Sequence, residues 1–132
     1  MKNTDAIGKI VWLMGQSKYH KHWSVQDIYR LIYPAVALQQ FRLYENEKMP
    51  FGLITWAFLT EEVANNYVKR KRKLQPDDWK SGNQLWSIDV IIPFGKVLPV
   101  IREARQFLSD RYGKNIKIQG HRTSGRIWKI HL

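Results

Sequence analysis

The sequence predicts a mixed α/β fold (α+β, with one mixed sheet), whose elements follow the order ααββαβαββ. Three observations support this prediction. Apolar residues recur at helical spacing in several segments, short runs rich in β-branched and aromatic residues lie between them, and Gly or Pro separates many of these segments. A length of 132 residues suits a single domain, 1–132, and 44% hydrophobic residues indicate a folded core.

The first part of the chain predicts two helices. Thr4 is the expected N-cap of the first helix and Gly15 its end. The apolar face of this helix comprises Ile7, Ile10, Val11 and Met14. Ser24 and Asp27 have the spacing of a capping box in its acidic variant, so a second helix is expected to start there and to end at Pro34.

Two strands and a third helix come next. The residues at 35–44 and 51–58 favour extended structure, and the polar segment 45–48 between them is typical of a hairpin connection. Thr60 is the expected N-cap of the third helix, which carries acidic residues in its first turn. The basic run Lys69–Lys73 lies at its other end, where the helix dipole favours positive charge.

The last part predicts a strand, a long helix and two short strands. Residues 85–92 form a largely apolar run, and the long helix that follows is expected to end at Gly113. The apolar stripe of that helix comprises Val97, Val100, Ile101, Ala104, Phe107 and Leu108. Residues 116–118 and 126–130 are expected to be the final strands.

Charge is the least ordinary property of the composition. Twenty-two Lys and Arg residues against eleven Asp and Glu give a net charge of +11. Such a surface attracts nucleic acid, anionic lipid or an acidic protein, and composition does not choose among them. The chain has no Cys, which excludes disulfides and thiolate metal ligands. No apolar run could span a membrane and no signal peptide is apparent, so we expect a cytoplasmic protein without a transmembrane segment.

Asp89 is the first candidate for chemistry, because it interrupts the apolar run 85–92. A buried carboxylate is costly unless a cation or a hydrogen-bond donor meets it. The alternatives are a solvated Asp at a strand end and a functional Asp with a partner. His20 and His22, just before the second helix, are candidate partners, since a carboxylate can fix the tautomer of a histidine and raise its basicity.

Other site chemistries find little support in the sequence. His20, His22 and Asp89 do not form a recognised zinc pattern, and we predict no metal site. No phosphate-binding glycine loop occurs. Segment 122–127 begins like the loop that cradles coenzyme A in acetyltransferases, but it ends in Ile and is interpreted as a basic hairpin turn.

Basic residues define two candidate docking regions. The run comprises Lys69, Arg70, Lys71, Arg72 and Lys73, and the second region includes Arg122 and Arg126. The run is either a solvated helix end or a docking patch for an anionic partner. Aromatic residues interleaved with charge also suggest nucleic acid. Trp12, Trp56 and Trp86 have apolar neighbours, however, and are expected in the core.

Four segments together resemble a known family. They are YHKHW at 19–23, TWAFL at 55–59, DWKSG at 78–82 and LWSIDVIIPFG at 85–95. Their order and spacing resemble those of the RTX toxin-activating lysine acyltransferases, and the resemblance extends from about residue 7 to residue 128.

This resemblance implies a function and site residues. Family members move a fatty acyl chain from acyl carrier protein, where it is a 4'-phosphopantetheine thioester, to internal lysines of an RTX protoxin. It also implies a fold similar to that of the Gcn5-related acetyltransferases, without a permanently bound cofactor. The essential His of the family falls on His20 and its essential Asp on Asp89. The five residues of the basic run, with Arg122 and Arg126, are then hypothesised to dock the acidic carrier protein.

Several points stay open at this stage. His20 is either a general base for the target lysine or the carrier of a transient acyl group. Leu31 stands where some relatives have Asn, which leaves a polar auxiliary group there open. The sequence stops at Leu132, so contacts made by the longer C-terminal tail of several activators need not exist here. A homodimer is compatible with the resemblance, because relatives associate. Two other interpretations are a small basic nucleic-acid-binding module without catalysis and an inactive homologue that only binds the carrier protein. If the protein is an acyltransferase, we expect no nucleic-acid partner.

Overall fold

The structure is a computed structural model that describes residues 1–122 and 124–132. Its helices and strands are α1 Asn3–Met14, α2 Val25–Leu31, α3 Tyr33–Ala37, β1 Phe41–Glu45, β2 Pro50–Leu59, α4 Glu61–Val68, β3 Gln84–Ile91, α5 Val97–Tyr112, β4 Lys117–His121 and β5 Ile127–His131. A short 3-10 turn at Pro76–Asp78 precedes β3. The predicted mixed α/β class is confirmed.

The five strands form one mixed sheet in the order β1-β2-β3-β4-β5. All neighbouring strands are antiparallel except β3 and β4, which are parallel and connected through α5. The register of this parallel pair is short: Leu85 lies opposite Ile118 and Trp86 opposite Gln119. Beyond these two pairs β3 and β4 separate, which opens the sheet at the carboxyl end of β3.

The predicted order ααββαβαββ is wrong at one place, because a third helix precedes β1. Residues 33–37 are helical and β1 begins at Phe41, whereas the sequence predicted a strand from residue 35. Pro34 does not end the helical region but lies in the first turn of α3, where a missing N–H costs no hydrogen bond. Ala35 and Val36 are fully buried, and a short apolar run does not distinguish a buried helix from a strand.

Helix caps explain where several elements begin. The predicted capping box is confirmed: the Ser24 hydroxyl accepts from the Asp27 N–H, and the Asp27 carboxylate accepts from the Ser24 N–H. The Thr60 hydroxyl accepts from the Val63 N–H at the start of α4. Thr4 is not the N-cap of α1, since Lys2 occupies that position.

The core lies on both faces of the sheet. Helices α1 to α4 cover one face and α5 covers the other, with Trp56 and Trp86 buried on opposite sides. Trp12 was expected in the core but is 44% exposed, with its ring near that of Phe94. Two residues of the predicted stripe of α5, Val97 and Ile101, are also exposed.

Candidate active site

His20 lies in a tight turn between α1 and α2. Its N–H donates to the carbonyl of Ser17, and its carbonyl accepts from the N–H of Trp23. The imidazole packs at a tilt against the Trp23 ring, with 4.8 Å between ring centroids. Because Trp23 directly precedes the capping box of α2, the start of that helix holds one side of the histidine in place.

Asp89 reaches His20 because β3 contains a bulge. Ile54 of β2 pairs with Val90 but Trp56 pairs with Ser87, so β3 has one extra residue in this stretch. Strict alternation would place Asp89 on the same face as Ser87. Instead Ser87 and Val90 line a cavity on the α5 side, and Asp89 reaches His20 on the other face.

Thr55 holds the bulge in its conformation. Its hydroxyl accepts a hydrogen bond of 3.0 Å from the backbone N–H of Asp89. Thr55 is 1% exposed and lies in β2 opposite the irregular part of β3. A buried N–H that a bulge releases from the ladder is therefore paired with a side chain. The sequence prediction missed this residue, because the position of a bulge is not apparent in the residue pattern.

The imidazole of His20 is held through both ring nitrogens. Nε2 lies 3.0 Å from Asp89 Oδ1, and Nδ1 lies 2.7 Å from Ser17 Oγ. The exposed fractions of the two side chains are 10% for His20 and 15% for Asp89. An ionised carboxylate only accepts, so Nε2 of a neutral ring donates to Asp89 and Nδ1 accepts from the Ser17 hydroxyl.

The arrangement Ser17–His20–Asp89 can move protons. A base held by a carboxylate, with a hydroxyl on its other nitrogen, is the pattern of general-base and nucleophilic catalysis. Sequence reasoning selected His20 and Asp89, and the structure brings these two together. It missed Ser17, whose position three residues before His20 is not distinctive by itself.

A cleft of about 420 Å³ opens beside this group. Ser17 and His20 form one wall, and residues 90–93 at the end of β3 form the other. The candidate base therefore lies at a surface that a substrate side chain can reach.

The structure brings part of the two predicted docking regions together. Lys71, Arg72 and Lys73 line a cavity of about 260 Å³ with His121 and Arg122. Lys69 and Arg70 are exposed just after α4, and Arg126 is exposed on the turn between β4 and β5. Thr123, within the predicted hairpin turn, lies outside the described residues.

One member of the basic run is already paired. Lys73 Nζ donates to Asp27 Oδ1 at 2.7 Å, which attaches the loop after α4 to α2. The hydrogen bond from Lys73 and that from the Ser24 N–H lower the pKa of Asp27 to about 2. Lys73 therefore contributes less free positive charge to a partner than its four neighbours in the run.

Tyr67 is a half-buried aromatic residue in the wall of the basic cavity. It lines that cavity, and its ring meets His121 edge-on with 4.9 Å between centroids. Burial, and then the negative charge of Asp89, raise the pKa of the Tyr67 hydroxyl. Its phenol therefore stays neutral, and its environment includes both the charge of Asp89 and the residues of the basic cavity.

Among residues 1–122 and 124–132, no three His, Asp or Glu side chains are grouped as metal ligands would be. Within the same residues, no helix is both long and apolar enough to cross a membrane.

The site holds a histidine between a hydroxyl and a carboxylate at the edge of a cleft. Such an arrangement in a mixed α/β domain is typical of a group-transfer enzyme. The chain belongs to the RTX toxin acyltransferase family, which it matches over residues 1–132. The family resemblance predicted from the four sequence segments is thus confirmed.

The names of similar proteins all describe the transfer of an acyl group to lysine. The chain is 34% identical to an RTX-II toxin-activating lysine-acyltransferase of Actinobacillus pleuropneumoniae, over 86% of this chain and 71% of the relative. It is 30% identical to a protein-lysine myristoyltransferase of Kingella kingae, over 99% of this chain and 78% of the relative. Identity to a leukotoxin-activating lysine-acyltransferase of Mannheimia haemolytica is 32%, over 86% and 68%. Family membership favours the acyltransferase over the nucleic-acid-binding interpretation.

Proposed function

We propose that this protein is a fatty acyltransferase that activates an RTX protoxin by acylating internal lysine side chains. The acyl donor in this proposal is acylated acyl carrier protein, and the reaction takes place in the cytoplasm. The hydrogen bond between His20 Nε2 and Asp89 Oδ1 is the observation that carries the proposal, because it gives a member of an acyltransferase family an oriented base beside an open cleft.

The proposed reaction is an aminolysis of a thioester. The neutral amine of the target lysine attacks the thioester carbon, a C–N bond forms and the C–S bond breaks. His20 accepts the proton that the amine loses and returns it to the departing thiolate. Asp89 orients the ring and stabilises the imidazolium, as an adjacent carboxylate does.

The route of the proton passes through Nδ1 in this proposal. Nε2 faces Asp89, so the nitrogen with a free lone pair is the one that faces Ser17. The amine either replaces the Ser17 hydroxyl at Nδ1 or passes its proton through that hydroxyl. The rival mechanism, a transient acyl group on His20, also uses Nδ1 and predicts acylated enzyme when donor is supplied without toxin.

The basic cavity is the proposed docking region for the carrier protein. Lys71, Arg72 and Arg122 line it together, and Lys69, Arg70 and Arg126 add exposed charge nearby. Acyl carrier proteins are strongly acidic, so their association is expected to be electrostatic. Tyr67 lines this cavity and is close enough to Asp89 to be affected by its charge, which supports a donor that docks on the same side as His20.

We also infer that the fold is a variant of the Gcn5-related acetyltransferase fold. In support, an antiparallel β1-β2-β3 unit continues through α5 to a parallel strand β4, and β3 and β4 separate after two residue pairs. The donor thioester is carried by its own protein, so the proposal requires no permanently bound cofactor.

The test is the intact mass of a candidate RTX protoxin after incubation with this protein and acylated carrier protein. We expect mass increments that match the supplied acyl chain, a loss of these increments with His20→Ala, and none with unacylated carrier. His22→Ala is the matched control, because it removes an exposed histidine two residues away. Equal increments with His20→Ala, in the absence of background transfer, would contradict the role of His20.

A further inference from the structure

A second cavity lies on the opposite face of the sheet from His20, between β2 to β5 and α5. Its volume is about 70 Å³. The apolar side chains that surround it include Ile54, Trp56, Ala104, Leu108, Ile118 and Trp128. Nothing in the proposed proton transfer uses this space.

The linings of the cavity and of the cleft beside His20 share Val90. This residue lines both spaces and is 43% exposed. It follows Asp89 at the bulge, where β3 has already separated from β4. A path from His20 into the apolar space would cross the edge of β3 at this residue.

Two of the polar side chains at the cavity wall are already engaged. The Thr55 hydroxyl accepts from the N–H of Asp89. The Arg105 guanidinium donates to the carbonyl of His131 at 2.6 Å. Ser87 adds a hydroxyl, but the wall is otherwise mainly apolar, which favours an alkyl chain over a polar ligand.

The mouth of the cavity is also apolar. Ile101 is 37% exposed and Ile130 is 39% exposed, although both line the cavity. Ile101 belongs to the predicted apolar stripe of α5. Exposed apolar residues around a cavity are typical of a binding site for an apolar ligand.

We propose that this cavity binds the fatty acyl chain of the donor and selects its length. The proposal rests on the proposed function, since it assumes that a thioester reaches His20. Because an apolar cavity of about 150 Å³ holds benzene, a space of about 70 Å³ holds roughly three carbon groups, so the rest of a longer chain lies along the mouth beside Ile101 and Val90. Changing the volume behind the mouth should therefore change which chain lengths are accepted.

Two substitutions change the cavity in opposite directions. Ala104→Leu fills it and Ile101→Ala widens its mouth. The control is Ala64→Leu, which overpacks a different core cluster at similar burial. We would measure the binding of free fatty acids of eight, twelve and sixteen carbons by calorimetry, and the transfer of the same chains from carrier protein by intact mass.

The wild-type protein should bind the longer acids. Ala104→Leu should weaken the binding of the sixteen-carbon acid, relative to the eight-carbon acid, by about tenfold or more. The reason is that one methylene in an apolar pocket changes affinity by that order. Ile101→Ala should shift preference toward longer chains, and Ala64→Leu should shift neither. Absence of fatty-acid binding by folded wild type, or equal selectivity in all variants, would overturn the proposal. Binding with the expected selectivity but no transfer from any donor would support the cavity and contradict the proposed function instead.

Discussion

At the scale of single residues, the proposed chemistry depends on which hydrogen-bond partner each of the two ring nitrogens of His20 has. Asp89 engages Nε2 and Ser17 engages Nδ1, at 3.0 Å and 2.7 Å. If Asp89 loses its charge, it no longer favours the tautomer with the proton on Nε2. In the other tautomer Nδ1, which faces Ser17, carries the proton and cannot act as a base. The carboxylate therefore sets which nitrogen reacts.

We expect Asp89→Asn to lower kcat for toxin acylation by about a hundredfold or more, which is the range of an impaired general base. The KM for donor should change little, because Asp89 is directed at His20 and not at the basic cavity. Steady-state kinetics with a protoxin fragment provide the measurement. Asp77→Asn, at an exposed position, is the control; a wild-type kcat for Asp89→Asn would contradict the proposed role.

The limits of sequence prediction also appear at this scale. Asp89 was selected because an acidic residue in an apolar run needs a partner. Its pairing with His20, 69 positions away, came from the family resemblance, since residue physics alone does not pair distant positions. Ser17 was missed because a serine in a polar loop has no distinctive pattern.

At the scale of the elements, the bulge in β3 determines which face Asp89 occupies. Helices with caps and clear periodicity, such as α4 and α5, were predictable from the sequence. The bulge was not, because it depends on pairing with β2 and on the Thr55 hydroxyl beneath it. The short helix α3 was missed for a related reason: its apolar residues suit either a buried helix or a strand.

Thr55→Val tests the contribution of the bulge. The substitution keeps the side-chain volume but leaves the Asp89 N–H without an acceptor, a loss that costs about 1–3 kcal/mol of stability. We expect a lower kcat with an unchanged KM for donor, and recovery in Thr55→Ser, which retains the hydroxyl. Wild-type kcat in a folded Thr55→Val protein would show that Asp89 does not depend on this hydrogen bond.

The link between α2 and the basic loop gives a prediction for stability against pH. The pKa of Asp27 is lowered in the folded protein from 3.8 to about 2. The stability that the ionised carboxylate adds is therefore fully present above pH 3.8 and is lost as the pH falls through about 2. The free energy of unfolding should therefore differ between wild type and Asp27→Asn at about pH 5, and the difference should shrink toward about pH 2. Urea unfolding across this range provides the measurement, and a constant difference would contradict the account.

At the scale of the whole molecule, the net charge of +11 is concentrated in part around the basic cavity. The cavity joins the loop after α4 to the end of β4, two segments that are distant in the sequence. Charge of this kind steers association and is screened by salt. Attraction for an acidic carrier is therefore expected to be strongest at low ionic strength.

Reversing the charge of Arg70 and Arg72 (R70E and R72E together) should raise the KM for acylated carrier protein at low salt by tenfold or more, while kcat stays near that of the wild type. The difference should shrink as salt is added. Lys48→Glu with Lys114→Glu is the matched control, because it reverses two exposed charges on other loops. An unchanged KM in R70E/R72E, or an equal rise in the control, would refute specific docking at this site.

The central claim is that Asp89 acts on the reaction through His20. Its most direct test is a double-mutant cycle in which single-turnover acyl transfer is followed by intact mass for wild type, His20→Ala, Asp89→Asn and the double variant. If the two residues act as one unit, the double variant transfers acyl groups no more slowly than His20→Ala alone. If the two losses multiply instead, Asp89 acts independently of His20 and the proposed pair is wrong.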